Sequence, residues 1–168
     1  GLEDPDSVVA TAKHFPAYGE PVRGEDTAPV EVSSYLLRNV FLPSFLDALD
    51  EGVASVMPCY NAIDGRPAHG SREYLTELLR GELGFDGTIV SDWNGVNMLH
   101  EDHRVTSDHR ESVHMTRDAG LDVASVDATA HAEHLKSLVE KGEISEDVLD
   151  DSLRRILELK FRLGLFED

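Results

Sequence analysis

The stretch Gly84-Phe85-Asp86-Gly87-Thr88-Ile89-Val90-Ser91-Asp92-Trp93 decides how this chain is read. It opens as a turn, passes into a short apolar run, Thr88-Ile89-Val90, and ends on a carboxylate beside an indole. Buried parallel strands are short apolar runs without polar alternation. A carboxylate at the C-terminal end of such a strand lies on the face where barrel enzymes keep their chemistry. Asp92 is therefore the first candidate for a catalytic residue. The plain alternative is that it caps the following helix or closes an Asx-turn.

Working outward, two more apolar runs have the same form. Val8-Val9-Ala10 follows the acidic stretch Glu3-Asp4-Pro5-Asp6 and reads as a strand ending at Lys13-His14-Phe15-Pro16. Val53-Ala54-Ser55-Val56-Met57 ends in Pro58-Cys59-Tyr60-Asn61 and the turn-forming Asp64-Gly65. Leu121-Asp122-Val123-Ala124 reads as a fourth, short strand. Between them the pattern predicts helices. One runs from about Tyr35 to Glu51, with Ser33 or Ser34 as cap, Leu36, Leu37, Val40, Phe41, Phe45, Leu46 and Leu49 inward, Pro43 as an irregularity and Gly52 as the stop. Others run from Ser71 to Glu82, about Asp108 to Ala119, and Ala130 to Glu140. The last starts at Ser145 and stops at Gly164, with Val148, Leu149, Leu153, Ile156, Leu157 and Leu159 on its apolar side. Ala17 to Val30, and the Asp-, His- and Asn-rich stretch after Trp93, read as loops.

The strand-loop-helix unit recurs four times at intervals of roughly forty residues, long enough for parallel crossovers. That order is compatible with an open doubly wound sheet or with part of a (β/α) barrel. Parallel strands bring Lys13 and His14, Tyr60 and Asn61, and Asp92 and Trp93 to one face.

Composition narrows the partners. The 168 residues include 33 acidic and 15 basic side chains, a formal net charge of −18. Such an excess repels phosphate, so nucleic acid and anionic membranes are poor partners. It also fits a salty medium, where screening relieves self-repulsion. The hydrophobic fraction, 40%, is that of a soluble globular chain rather than a disordered one. No leader or membrane span is visible, and the compartment stays open between cytoplasmic and secreted. Single Cys59 makes neither an internal disulfide nor a cysteine metal site. Six of the eight histidines, His100, His103, His109, His114, His131 and His134, lie after Trp93, but none falls into a known zinc spacing. Nucleotide-binding glycine signatures are absent. No metal or cofactor is expected.

A carboxylate beside Lys and His, flanked by Tyr and Trp, suits a neutral polyhydroxylated ligand. Lys, His and Arg donate to sugar hydroxyls, and an indole face stacks on a pyranose ring. Asp92 has the form of a retaining-glycosidase nucleophile, and Tyr60 is placed to donate to its carboxylate. Each has a blander reading: a solvated Lys13, a structural His14, a core Trp93, a Tyr60 with its hydroxyl in water, a surface Arg23. Glu20, Glu25, Asp26 and Asp102 are unremarkable loop carboxylates, and no second carboxylate has an equally marked setting.

With these pieces assembled, the chain resembles glycoside hydrolase family 3. The matching motifs come in family order. They are Lys13-His14-Phe15; Ser55-Val56-Met57-Pro58-Cys59-Tyr60-Asn61 with Asp64-Gly65-Arg66-Pro67; Leu78-Leu79-Arg80-Gly81-Glu82-Leu83-Gly84-Phe85-Asp86-Gly87 into Val90-Ser91-Asp92-Trp93; and Ala119-Gly120-Leu121-Asp122. Arg154-Arg155-Ile156-Leu157 and Lys160 to Phe166 extend the match. The resemblance implies that Asp92 is the nucleophile, that Lys13 and His14 bind sugar hydroxyls, that Arg23 is the sugar-binding loop arginine, and that Tyr60 and Trp93 border the site. It also implies that peptide bonds near Lys13-His14-Phe15-Pro16 can be cis.

Ala17-Tyr18-Gly19 replaces the Gly-His-Gly of the family's hexosaminidase branch, and no histidine lies between Gly19 and Val30. The resemblance therefore implies the β-glucosidase or β-xylosidase branch, acting on a β-linked glucoside or xyloside. It further implies half of a TIM-type (β/α)8 barrel, strands five to eight over residues 1–168. The other half and the acid/base would then come from outside this chain, which is expected to be a fragment, a cleaved product, or a subunit that completes the barrel with a second chain or in a homo-oligomer. A non-catalytic half-barrel with a structural or carbohydrate-binding role is the alternative.

Overall fold

The computed structural model describes residues 8–167. The acidic stretch Glu3 to Asp6 lies outside them. Three parallel strands form the sheet, in the order β1 (Thr11–Phe15), β2 (Ser55–Pro58), β5 (Thr88–Ile89). Thr11 stands beside Ser55, and Val56 beside Ile89. The first strand begins at Thr11, not at the apolar run before it: Val8 is 84% exposed and pairs with nothing in the sheet. The fourth strand shrinks to a single parallel bridge, Val90 to Val123. The cause is Asp122, whose Oδ2 accepts the Ile89 N–H at 2.8 Å and so takes a bond that a strand would give to backbone.

Helix α1 (residues 34–50) starts at a Ser33 cap, whose Oγ accepts the Leu36 N–H. It is α-helical at Ser34–Leu36, π-helical over Leu37–Phe41 and α-helical again over Leu42–Asp50. The π turn immediately precedes Pro43, which lacks the N–H that an unbroken helix would need. Its extra residue rotates the apolar stripe. Leu37 and Leu42 are buried, while Leu36, Val40 and Leu46, expected inward, are exposed. Asp64 and Gly65, both at positive φ, make the tight turn of a hairpin, β3 (Ala62–Ile63) and β4 (Arg66–Pro67), not anticipated beyond its turn.

Helix α2 (Glu73–Glu82) is π-helical and buries Tyr74, Leu75, Leu78 and Leu79. The stretch after Trp93 holds a helix, α3 (Gly95–Glu101), where a loop was expected. Only Val96 and Leu99 of its large apolar side chains are buried, too few to show in the sequence. Then come α4 (His109–Ala119), capped by Asp108 and stopped by Gly120 at φ 97°, and α5 (Ala128–Glu140). The last helix, α6 (Glu146–Arg162), buries only Ser152 completely; Val148 and Leu153, expected inward, face out.

The result is an α/β fold, a partial and unclosed (β/α) barrel. Its core runs from Phe15 and Val30 through Val56, Leu75, Leu79 and Ile89 to Leu121 and Leu138. Among the described residues, no helix is long and apolar enough to cross a membrane.

Candidate active site

Successive parallel strands end on the same side, and their last residues meet there. Asp92 follows β5 in a turn closed by its own carbonyl, which accepts the Gly95 N–H at 3.0 Å. Ser91 ties that turn to the fourth segment: its N–H donates to Val123 O, and its hydroxyl accepts the Ser125 N–H at 2.9 Å. The Asp92 side chain is mostly enclosed, 15% exposed. Its Oδ1 accepts the Trp93 N–H at 2.7 Å, and its Oδ2 stands 3.2 Å from His14 Nε2. Oδ1 thus bonds the N–H of the next residue rather than the one two residues on that an Asx-turn uses, and Oδ2 faces the neighbouring strand end.

His14 is the penultimate residue of β1. The Lys13–His14 and Phe15–Pro16 peptide bonds are cis, and the β1–β2 register shifts between Lys13 and Phe15. Burial pushes the His14 imidazole below its usual range; Asp92 pulls it back up, and the Lys13 ammonium lowers it further. Lys13 itself is exposed.

Tyr60, after β2, donates its hydroxyl proton to the Trp93 carbonyl at 2.7 Å. The same hydroxyl also neighbours the Asp92 carboxylate, the acceptor expected from the sequence. Burial, then the hydrogen bond to Asp92 and the Asp92 charge, push the phenol up to about 12, so it remains a donor. Trp93 is no core residue; it is 70% exposed beside the carboxylate. Arg23 sits on a surface turn at φ 59°, 76% exposed along its side chain, and its ion-pair partner is Glu25.

Two further residues join the cluster, His69, not singled out in the sequence, and Asp26, weighed there only as an unremarkable loop carboxylate. His69, on the turn Ala68–Gly70, is buried and accepts the Asp92 N–H through Nε2 at 3.0 Å. Asp26 accepts a hydrogen bond from Tyr18, and its charge acts on both His14 and Tyr60. Neither has a local signal: both come from loops whose path is set by tertiary packing.

Several of the histidines after Trp93 have structural partners. His100 meets Thr106 O, His103 meets Tyr60 O at 2.8 Å, and His109 pairs with Glu101. Among the described residues, no group of three or more His, Cys, Asp or Glu is arranged to hold a metal ion. Cys59 is buried and its thiol is pushed up to about 11 by that burial, which leaves it protonated rather than nucleophilic. A recess of about 260 Å³ between Val53, Asp86, Arg155 and Arg162 lies at the opposite end of the strands, and none of the cluster lines it.

The family model described as glycosyl hydrolase family 3 N terminal domain matches residues 1–159. The chain belongs to glycosyl hydrolase family 3. It is 38% identical over 164 residues to a lysosomal beta glucosidase of Dictyostelium discoideum, covering 96% of this chain and 20% of that protein. It is 39% identical over 171 residues to a beta-xylosidase of Formosa agariphila, covering 98% of this chain and 24% of that protein. The beta-glucosidase of Listeria innocua, solved alone and in complex with glucose, superposes with a TM-score of 0.94 at 35% identity, over 99% of this chain and 23% of that one. The chain spans about a fifth to a quarter of the length of these family 3 relatives.

Proposed function

We propose that the chain carries the nucleophile side of a retaining, exo-acting β-glycosidase that removes terminal non-reducing β-linked glucose or xylose. Asp92 Oδ2 attacks the anomeric carbon as the glycosidic C–O bond breaks, and the leaving oxygen takes a proton from an acid outside this chain. Water then attacks the glycosyl-Asp92 ester and gives its proton to the same group, restoring both. Lys13 and His14 bind ring hydroxyls, Tyr60 and Trp93 border the first subsite, and Arg23 reaches the sugar if its loop closes over it. Residues 1–168 make up half a barrel, strands five to eight, whose other half and acid/base lie outside this chain.

The observation that carries this reading is the approach of His14 Nε2 to Asp92 Oδ2, 3.2 Å, across two strand ends of one parallel sheet. It sets Oδ2 of a carboxylate, whose Oδ1 is tied to the Trp93 N–H, beside an imidazole able to donate to a sugar hydroxyl. Relatives named beta glucosidase and beta-xylosidase support both sugars, which differ by one hydroxymethyl group.

The test is trapping. The intact protein, treated with gluco- and xylo-configured dinitrophenyl 2-deoxy-2-fluoro-β-glycosides, is expected to carry one glycosyl label on Asp92 by peptide mass. Asp92→Asn is expected to abolish labelling and to cut turnover of the parent aryl glycosides by about 10⁴-fold. A label elsewhere, or none with either probe, would favour the non-catalytic alternative.

A further inference from the structure

His69 has an arrangement that packing alone does not require. Its ring lies against the Cα of Gly95, the first residue of α3. A Cβ built on Gly95 would fall 2.6 Å from Cε1 and 2.7 Å from Cδ2 of that ring, closer than any real side chain allows. Tyr60 lies over the ring, with centroids 6.1 Å apart and planes 24° apart. The imidazole is held between a phenol that borders the site and a glycine that no other residue replaces without moving it. Within that clamp, Nε2 accepts the backbone N–H of Asp92 at 3.0 Å, and the Cys59 backbone lies near enough to favour a proton on the ring. The ring thus sits between backbone groups at two strand ends, those of β2 and β5.

We propose that His69 is a positioning residue for the Asp92 carboxylate: by gripping the Asp92 N–H from a site fixed by Gly95 and Tyr60, it sets the direction from which Oδ2 meets the anomeric carbon. The inference rests on the reading of Asp92 as nucleophile. A carboxylate one bond beyond a pinned backbone amide has few rotational choices, and Oδ1 is already held by the Trp93 N–H. Removing the grip frees the turn, and misplacement by a fraction of an ångström at a reacting atom is costly. The acceptor role needs Nε2 without a proton. The charged and titratable groups around the ring are Asp92, His103, His14, Tyr60 and Cys59, and burial outweighs the charges among them, holding the imidazole at about 4.

The experiment compares the intact wild-type protein with His69→Phe, which keeps a ring without an acceptor, and His69→Gln, whose amide oxygen restores one. The readout is the rate of Asp92 labelling by the fluoroglycosides, split into inactivation rate constant and binding constant. His69→Phe is expected to lower the rate constant by about 10- to 100-fold while binding changes little, and His69→Gln to recover most of it. A purely structural role would lower the melting temperature and leave that split unmoved. Labelling at Asp92 at the wild-type rate in His69→Phe overturns the positioning role and leaves the functional reading intact. Failure of the wild type to label at Asp92 overturns both. Should His69→Phe not fold, imidazole ¹⁵N shifts of the wild type decide: an unprotonated Nε2 and protonated Nδ1, unchanged from about pH 5 to pH 8, are expected. A ring that titrates in that window, or carries its proton on Nε2, overturns the inference.

Discussion

His69 and His131 are enclosed at different places, His69 beneath the Asp92 turn and His131 beside Arg117, and burial pushes each imidazole down to about 4. The unfolded chain protonates such rings near pH 6.5, so between about pH 6.5 and pH 4 it binds more protons than the native state. Stability is therefore full above about pH 6.5 and falls as the pH falls, by roughly 2 kcal/mol per ring at pH 5. Urea midpoints of the intact protein at pH 7 and pH 5 measure this. His131→Gln is expected to remove about half of the drop; an unchanged drop in that variant would show that other groups carry it. At this same scale the sequence was informative for Asp92, His14 and Tyr60, because a strand-end position follows from an apolar run and a turn. It was silent on His69 and did not set Asp26 apart from other loop carboxylates, because the places of both depend on where two loops fold back.

The elements are tied together by one buried carboxylate. Asp122 pairs with Arg80 of α2 at 2.6 Å and with Arg155 of α6 at 3.1 Å, while Ser152 donates to it and it accepts the Ile89 N–H of β5. Two arginines on separate helices thereby converge on one strand end beneath the sheet. Removing one member of a buried pair leaves the others charged and unpaired, which costs about 3–5 kcal/mol. Asp122→Asn is expected to lose that much in chemical denaturation, with its far-ultraviolet circular dichroism retained at low denaturant. A loss under about 1 kcal/mol would mean that water replaces the carboxylate. The motif Ala119-Gly120-Leu121-Asp122 is visible in sequence, and so is the glycine stop of α4. That Asp122 shortens its own strand by capping Ile89 is not, since periodicity carries no information about where a side chain folds back. The helix α3 was hidden for a related reason: a seven-residue helix with two large buried side chains has no stripe to read.

At the scale of the whole molecule, the sheet is left open. Among the described residues β1 pairs with β2 on one side only, and α6 and the segment after it present Leu153, Phe161, Leu165 and Phe166, all more than half exposed. Open strand edges and contiguous apolar surface favour association, whereas a net charge of −18 opposes it by repulsion. This chain produced by itself is expected to be mostly monomeric at about 0.05 M NaCl and to self-associate as NaCl is raised to about 1 M, because screening removes the repulsion first. Sedimentation velocity across that range measures it, and Phe161→Lys with Leu165→Lys is expected to suppress the association. A monomer at every salt concentration would mean that the open edge and the α6 face do not attract each other.

What the sequence determined by itself was the order of the main strands and helices, without α3 and the β3–β4 hairpin, the parallel character of the sheet, and the group of residues that gathers at one end of it. These follow from apolar runs, caps and glycine stops, which act over a few residues and so leave a local trace. Only the tertiary structure decided the π turn that rotates the stripe of α1, the reduction of the fourth strand to one bridge, the donation of Tyr60 to the Trp93 carbonyl, and the seat of His69 under Asp92. Each of these depends on which atoms from distant segments compete for the same hydrogen bond or the same space, and no local pattern of residues records the outcome of that competition.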